Sequence, residues 1–387
     1  LNDFRVMCLS REASLLGRKE VLTGKAKFGI FGDGKELPQI VMAKFFRNGD
    51  IRSGYYRDQT FMMATNNLTI KEFFAGLYAH TDIQKEPTSA GRQMGGHFST
   101  RLIDEDGKWL NLTEQKNSTS DISPTAGQMP RLVGLGLASK VYRNNKELSH
   151  LTNFSKNGDE IAFGTIGDAS TSEGVFWESI NAACVLEIPV VMSIWDDGYG
   201  ISVPKKYQTT KESISEALAG FELDDKTNGL KIFRCNGWDY QDLYSAYKNA
   251  TEFTRKHHKP SLIHVEEITQ PQGHSTSGSH ERYKSKERLA WAKEFDCISK
   301  FKEWLLSSNN GLGKPISTLD ELNKIEKDAK AEVKSIAKEA WKEFIQDIET
   351  ERKAITSQIE LLSSESGHKQ ELQKLISKIK GLKEPLR

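Results

Sequence analysis

Two short acidic motifs carry the residue types best suited to metal and phosphate chemistry. Gly167-Asp168-Ala169 follows an apolar run, and Asp196-Asp197-Gly198-Tyr199-Gly200 follows the next run along the chain. In the first motif, a small residue after the aspartate lets the backbone approach a ligand. We expect a strand, a helix and a second strand to connect the motifs, which then lie at the same edge of a parallel sheet.

Two carboxylates at one sheet edge repel each other unless a positive group joins them. A hard divalent cation that also holds a diphosphate removes this conflict, and Mg²⁺ uses one or two carboxylates with phosphate oxygens and water. Asp168 and Asp197 offer side-chain oxygens, and a backbone carbonyl near Tyr199 offers another. Thr171 to Glu173 is predicted to open a helix, whose free N–H groups can receive a phosphate. The alternative is two unrelated turn aspartates.

Two further segments hold side chains suited to binding or moving charge. Arg57, in Tyr56-Arg57-Asp58, carries a guanidinium fork that can contact phosphate through two N–H groups. His274, in Gly273-His274-Ser275, is the residue type that orients charge or shuttles a proton near neutral pH. The alternatives are a surface arginine and an incidental histidine in a flexible loop.

The elements that must position these residues alternate between strand and helix. Apolar runs predict strands at 160–166, 189–195, 231–235 and 261–266, and the stretches between them predict helices at 171–186, 211–218 and 239–257. Such nearly continuous apolar strands predict an α/β fold with a parallel sheet covered by helices on both faces. Other helices are expected at 37–46, 68–79 and 281–306, whereas 52–58 is expected to be a turn.

The chain is expected to divide into three segments. These are an N-terminal segment at 1–35, an α/β domain at 36–310 and a C-terminal helical extension at 311–387. The extension is charge-dense and its helical pattern breaks near 363–367. A solvated helical hairpin is the simpler interpretation of its end, and a linker or partner-docking arm is the alternative.

The composition excludes several classes of partner. Lys and Arg total 54 against 53 Asp and Glu in 387 residues, so no basic excess indicates nucleic acid or an anionic membrane. No apolar run approaches the roughly 18 residues of a membrane span. The four cysteines lack a C-x-x-C pair and indicate buried apolar residues, not disulfides or a zinc site. Because the first residues show neither a signal core nor an Arg-rich leader, a cytoplasmic location is expected.

Residues 167–202 resemble the thiamine-diphosphate motif, in which Gly-Asp-Gly is followed after a fixed interval by Asn-Asn. The segment is most similar to the alpha subunits of pyruvate and branched-chain 2-oxo-acid dehydrogenases, and the resemblance covers about residues 27–345. It implies the thiamine-diphosphate-binding fold, a decarboxylating 2-oxo-acid dehydrogenase component, and thiamine diphosphate with Mg²⁺ as cofactors. Gly91-Arg92-Gln93-Met94 and the Ser/Thr-rich run after His274 favour the branched-chain members, with pyruvate as the alternative substrate.

The resemblance also implies roles for single residues. Those expected to bind the cofactor are Tyr56, Arg57, Ser123, Thr125, Gly167, Asp168, Ala169, Asp197 and His274. Asp168, Asp197 and the carbonyl of Tyr199 would bind Mg²⁺, and His274 and Tyr56 would be catalytic.

Several positions depart from the family pattern. Ala169 replaces the last glycine of the motif, and Asp196-Asp197 replaces Asn-Asn, which adds negative charge beside a diphosphate. Gly127 stands where some relatives bind a monovalent cation through a threonine, so that ion site is in doubt. Gly32-Asp33-Gly34 spells the motif more literally, but the expected turn at 52–58 is not a buried strand, so this match is interpreted as a decoy.

The resemblance places the activating glutamate on a beta subunit, and no segment here matches that part. We therefore expect the site at an interface with a beta subunit or a beta half of the same polypeptide, an alpha2beta2 assembly, and acyl transfer to a lipoyl-bearing acyltransferase core. One alternative is a Rossmann-type oxidoreductase, but no G-x-G-x-x-G follows a predicted strand, and Gly134-x-Gly136 lies in a helical pattern. The other is a non-catalytic scaffold or regulatory paralogue that retains the fold.

Overall fold

The computed structural model describes residues 1–93, 95–308 and 310–382. Met94, named above in a segment that favours the branched-chain members, lies outside the described residues, as does the end of the predicted extension at 383–387.

A parallel sheet forms the centre of the fold, as predicted. The strands are β1 (Ile51–Ser53), β2 (Asn117–Ser118), β3 (Ala162–Gly167), β4 (Val190–Trp195), β5 (Tyr199–Gly200), β6 (Val203–Pro204), β7 (Lys231–Asn236) and β8 (Ser261–Glu266). Six of them form one sheet in the order β2-β1-β3-β4-β8-β7, in which every neighbouring pair is parallel. The short pair β5 and β6 is antiparallel.

Helices cover both faces of this sheet. They are α1 (Asn2–Leu22), α2 (Glu36–Phe45), α3 (Gln59–Ala64), α4 (Ile70–Leu77), α5 (Gln128–Asn144), α6 (Gly174–Leu186), α7 (Ile214–Ala217), α8 (Tyr240–His257), α9 (Lys286–Glu294), α10 (Cys297–Leu306), α11 (Leu319–Glu365) and α12 (Lys369–Lys380). Several begin at a side-chain cap that accepts free backbone N–H groups. Thr69 and Glu72 form a capping box at α4, and Asp239 caps α8.

Alternate residues of the central strands enter two separate hydrophobic clusters. Phe163 and Val191 face a cluster that contains α1, α2, α4 and α8, whereas Ala162 and Val190 face a cluster that contains α5 and α6. Successive side chains of a strand point to opposite faces. The strands are therefore apolar throughout because both faces are covered by helices.

Four local predictions were wrong. The expected turn at 52–58 begins with Arg52 and Ser53 in the buried strand β1, and the chain turns only after it. The helix expected at 171–186 begins at Gly174, because Asp168–Ser172 forms a tighter 3₁₀ turn. The single helix expected at 281–306 is two, α9 and α10, and the one expected at 211–218 is only α7, Ile214–Ala217.

The C-terminal helices begin on the body of the protein. Leu322, Ala329 and Val333 of α11 are buried in the same hydrophobic cluster as α1 and α4, and α11 and α12 form the helical hairpin expected from the sequence. The segment boundaries at residues 36 and 311 stay predictions. In the part of the chain that the structure describes, no helix is both long enough and apolar enough to cross a membrane.

A buried guanidinium ties the edge of the sheet to the turn that follows β1. Arg52 is fully buried, and its side chain donates to Asp58 Oδ2 at 2.8 Å and to both oxygens of Asp121 at 3.0 Å. Asp58 also accepts from Trp195 Nε1 at 3.2 Å and from the hydroxyl of Thr165. Burial raises the pKa of Asp121 to about 6, although the charge of Arg52 opposes this. The network connects β1, β3 and β4 beneath the turn.

Replacing Arg52 by Met should destabilise the fold strongly. It leaves two buried carboxylates without their cation, and breaking such a pair costs about 3–5 kcal/mol. Chemical denaturation of the two proteins measures the difference. Arg5→Met is the control, because Arg5 pairs with Glu332 at an exposed site, where a loss of less than about 1 kcal/mol is expected. Equal losses for both variants would contradict the structural role given to Arg52.

Candidate active site

A cavity of about 330 Å³ lies at the carboxyl ends of β1, β3 and β4, and the loop after β8 reaches it from one side. Ligands of open α/β sheets bind in this position. Its lining residues come from separate stretches of the chain; they are Lys35, Tyr55, Tyr56, Arg57, Thr125, Gly167, Asp168, Ala169, Ser170, Trp195, Asp197, Tyr199, Gly200, Ile201 and His274. The two acidic motifs meet here because Gly167 pairs with Trp195 at the ends of β3 and β4.

All the predicted cofactor-binding, metal-binding and catalytic residues except Ser123 line this cavity. Ser123 instead makes a hydrogen bond of 2.9 Å between its hydroxyl and His97 Nε2. Its neighbour Thr125 does line the cavity. The geometry brings the candidates together, whereas their roles stay predictions.

The sequence analysis missed two titratable residues of the cavity, Tyr55 and Lys35. Tyr55 is buried, and its hydroxyl has no hydrogen-bond partner among the described residues. Its only signal was its position before Tyr56. Lys35 is 1% exposed. The sequence indicates it only by its position directly after the literal Gly-Asp-Gly match, which the sequence analysis interprets as a decoy.

Asp168 is the residue whose surroundings call most directly for a cation. It is buried, and within the described residues its Oδ2 has no hydrogen-bond partner. Burial, followed by the charges of Asp197 and Asp196, raises the pKa of Asp168 well above its ordinary value. A buried carboxylate without a partner is costly. A divalent cation would supply the missing partner and favour the ionised form.

Asp197 is stabilised as a carboxylate. Lys35 Nζ donates to Asp197 Oδ2 at 2.9 Å, and the backbone N–H of Tyr199 donates to Oδ1 at 3.1 Å. Burial acts to raise the pKa of Asp197, but the charges of Lys35, Lys284 and Arg57 together lower it. The pKa values of the two cavity carboxyl groups are thus shifted in opposite directions, upwards for Asp168 and downwards for Asp197.

The second aspartate of this motif, Asp196, points elsewhere. Its Oδ2 accepts from Lys205 at 2.7 Å and contacts His264 Nε2 at 3.0 Å, and it is not among the residues that line the cavity. Although burial opposes the shift, the hydrogen bond from His264 and the charge of Lys205 lower the pKa of Asp196 to about 2. Only one of the two aspartates, Asp197, therefore lines the cavity.

Arg57 and His274 form a fixed pair on the opposite wall. Arg57 donates to the carbonyl of Phe31 at 2.6 Å and to the carbonyl and Nδ1 of His274, both at 3.0 Å. A guanidinium can only donate, so Nδ1 of His274 is the acceptor and the neutral ring carries its proton on Nε2. Burial and then the charge of Arg57 lower the pKa of His274 to about 4. His274 is neutral at pH 7 and retains one N–H donor.

The structure also explains one departure from the thiamine-diphosphate motif and the role of the literal Gly-Asp-Gly match. Gly200 packs so closely on Ala169 that a Cβ on Gly200 would lie 2.8 Å from the Ala169 side chain. The methyl group of Ala169 therefore fits because its neighbour is glycine. The literal match has a structural role, because Asp33 accepts from the backbone N–H of Gln272 at 2.9 Å and does not line the cavity.

The oxygen atoms in the cavity suit a hard cation that takes its remaining ligands from water or phosphate. Among the described residues, no cluster of three or more His, Cys, Asp and Glu side chains could hold a metal by itself. Mg²⁺ commonly uses one or two carboxylates and completes its shell with water and phosphate. Asp168, Asp197 and the carbonyl of Tyr199 fit that need.

The four cysteines are free and buried, which confirms the prediction that they are buried residues.

A family profile and individual similar proteins indicate the same family for this chain. The profile of the family described as "Dehydrogenase E1 component" matches residues 5–349. The 2-oxoisovalerate dehydrogenase subunit alpha of Bacillus subtilis is 29% identical over 308 residues, which are 78% of this chain and 80% of that protein. The mitochondrial subunit alpha 1 of Arabidopsis thaliana is 26% identical over 73% of this chain, and the mitochondrial subunit alpha of Mus musculus is 25% identical over 79%. The chain spans 52% and 61% of the lengths of those two relatives.

The Arg57–His274 pair predicts a specific pH dependence of stability. The unfolded chain takes up the His274 proton below its ordinary pKa of 6.5, whereas the folded chain does so only near pH 4. Folding stability from this residue is therefore complete above pH 6.5 and is lost as the pH falls towards 4. His274→Asn keeps an acceptor for Arg57 but cannot titrate, so it should remove about 3 kcal/mol of this acid-induced loss.

Denaturation curves of both proteins between pH 4 and pH 7 measure this component. His150→Asn, at an exposed histidine, is the control and should leave the pH dependence unchanged. If the stability of the original protein and that of His274→Asn change with pH by the same amount, His274 does not titrate as described.

Proposed function

The chain belongs to the dehydrogenase E1 component family, and from this membership we propose that it is the alpha part of a 2-oxo-acid dehydrogenase. The proposed reaction is oxidative decarboxylation of a 2-oxo acid with thiamine diphosphate and Mg²⁺, followed by acyl transfer to a lipoyl group. The observation that carries the proposal is the convergence in one cavity of Asp168, Asp197, Arg57 and His274. The ordinary alternative, unrelated turn residues, does not account for this convergence.

The metal would be held by Asp168, Asp197 and the carbonyl of Tyr199. The buried Oδ2 of Asp168, which has no partner in the described part of the chain, supports this assignment. The metal would in turn hold the diphosphate, so that the cofactor is anchored at the carboxyl ends of β3 and β4. Gly167 and Ala169 would lie against the cofactor, with Ser123 and Thr125 meeting its ring through their backbone.

Thiamine diphosphate supplies the chemistry itself, since its ring accepts the electrons released with CO₂. The protein has to bind and orient the cofactor and to supply protons to the reacting groups. Arg57 lies in the cavity wall with its position fixed by two carbonyls and His274, so it can contact phosphate with little loss of side-chain freedom. The Nε2–H of His274 is a neutral donor suited to an oxygen that gains charge during the reaction. Tyr56 lies beside Arg57, whose guanidinium is 5.2 Å from the Tyr56 ring centre.

A partner would complete the site. No glutamate lies among the described residues that line the cavity, and the cofactor needs a carboxylic acid for its activation. We assign that acid to a beta part, which is either a separate chain or a continuation of the same polypeptide, in an alpha2beta2 assembly. The acyl group would then pass to a lipoyl-bearing acyltransferase core.

A branched-chain 2-oxo acid is the favoured substrate. The relatives from Bacillus, Arabidopsis and mouse are all named as 2-oxoisovalerate dehydrogenase subunits. Pyruvate remains the alternative predicted from the sequence. The cytoplasmic location also remains a prediction, since the plant and mouse relatives are named as mitochondrial.

Cofactor binding is the first test. Titration calorimetry with the beta part present should show saturable binding of thiamine diphosphate that requires Mg²⁺, and Asp168→Ala should abolish it because the metal loses a ligand. Asp33→Asn is the control, because Asp33 belongs to the Gly-Asp-Gly sequence that lies outside the cavity. It keeps an acceptor for Gln272 and should bind normally. No binding by the unaltered protein would favour the non-catalytic scaffold.

Catalysis should require both parts. The chain alone is expected to release no CO₂ from 2-oxoisovalerate, because the activating acid is absent, and addition of the beta part should start the reaction. The ratio of kcat/KM for 2-oxoisovalerate and pyruvate then identifies the substrate class. Decarboxylation by the chain alone would contradict the shared site.

A further inference from the structure

Lys35 is a buried cation in the cavity that no part of the motif accounts for. It is 1% exposed, and its Nζ donates to Asp197 Oδ2 at 2.9 Å and to Gln270 Oε1 at 3.2 Å. Lysine is almost never fully buried unless it is paired. Its stem alone could be replaced by an apolar residue, so the ammonium is the part that needs an explanation.

Close contacts on both sides of Lys35 hold its backbone beside the cavity that its side chain lines. Gly34 has a φ of +85°, and a Cβ there would lie 2.1 Å from the carbonyl oxygen of Thr269. Asp33 on one side holds Gln272, and Glu36 on the other side is paired with Arg11 at 2.6 Å. Three charged residues within four positions thus each contact a different part of the fold.

The charge balance of the cavity indicates what the ammonium does. Asp197 stands where the thiamine-diphosphate motif has a neutral asparagine, so this site carries one more negative charge than the motif does. Asp168 is also present, and a diphosphate would add further negative charge. Arg57 contacts Phe31 and His274 rather than either carboxylate. Lys35 is the cation that directly contacts Asp197 Oδ2.

We propose that Lys35 is a positioning residue for metal and cofactor binding, and that its ion pair is what allows an aspartate to replace asparagine at position 197. The inference rests on the proposed function. Lys35 offsets the extra charge and holds Oδ2, and Oδ1 keeps a lone pair for Mg²⁺ while accepting from Tyr199. The third N–H of the ammonium, beyond those given to Asp197 and Gln270, would be available to donate to a diphosphate oxygen.

A purely structural ion pair is the competing explanation. Arg255 and Asp50 form a buried pair at the opposite end of the sheet, and removing its cation should lower stability without affecting the cavity. Arg255→Met is therefore the matched control. A double-mutant cycle separates the two explanations, because it measures whether positions 35 and 197 act together.

The experiment uses the protein with its beta part and compares the original protein with Lys35→Met, Asp197→Asn, Lys35→Met/Asp197→Asn and Arg255→Met. Calorimetry measures the Kd of thiamine diphosphate at saturating Mg²⁺ and then the Kd of Mg²⁺. Melting without cofactor measures stability. Lys35→Met should weaken Mg²⁺ binding about 10–100-fold, as is usual for loss of a partner of a metal ligand, and should lower the melting temperature.

Adding Asp197→Asn removes the uncompensated charge and should recover most of the lost affinity and melting temperature. Arg255→Met should lower the melting temperature but leave both Kd values within about twofold. Normal cofactor binding by Lys35→Met, or no recovery in the double variant, would overturn the inference and leave the proposed function intact. Failure of the unaltered protein to bind cofactor would overturn the proposed function and the inference with it.

Discussion

The ionic network around Arg52 is the interaction on which the cavity depends. A fully buried guanidinium lies between Asp58 and Asp121, and Asp58 also accepts from Trp195 of β4. Each of these groups would be costly to bury alone, but together they satisfy one another. The network holds the turn after β1 against β3 and β4. Tyr55, Tyr56 and Arg57 lie in that turn, so their position at the cavity depends on charges placed beneath it.

The cavity above this network is organised by a second balance of charge. Asp168 is buried without a partner among the described residues, whereas Asp197 is paired with Lys35. These opposite surroundings raise the pKa of one carboxyl group and lower that of the other. Burial, followed by the charge of Arg57, lowers the pKa of His274 and keeps it neutral. Such an arrangement suits a site that receives a metal and a diphosphate, because it offers fixed donors without neutralising every carboxylate in advance.

The departures from the thiamine-diphosphate motif have physical compensations nearby. Ala169 is accommodated because its neighbour Gly200 has no side chain. Of the two aspartates that replace Asn-Asn, Asp196 is turned towards His264 and Lys205, and Asp197 meets Lys35. The additional negative charge is therefore matched by two ammonium groups, that of Lys205 close by in the sequence and that of Lys35 from a distant part of the chain. This pattern favours a site that retains its binding function over a fold that has lost it.

The sequence by itself determined the alternation of strands and helices and the meeting of the two acidic motifs. The apolar character of a strand and the geometry of a strand–helix–strand unit are properties of a short segment. The sequence alone therefore predicts that Asp168 and Asp197 lie at one edge of the sheet. Arg57 and His274 were also identified, because their residue types and the family resemblance were visible locally. Lys35, Tyr55 and the strand at Ile51–Ser53 were not. Strand β1 is short and contains a buried arginine, which no hydrophobic pattern can reveal. Lys35 contacts Asp197 from a distant part of the chain, and its neighbour Gly34 packs on the carbonyl of Thr269, more than two hundred residues away. Only the tertiary structure decides which distant charges become partners, because pairing depends on burial and distance rather than on the order of residues.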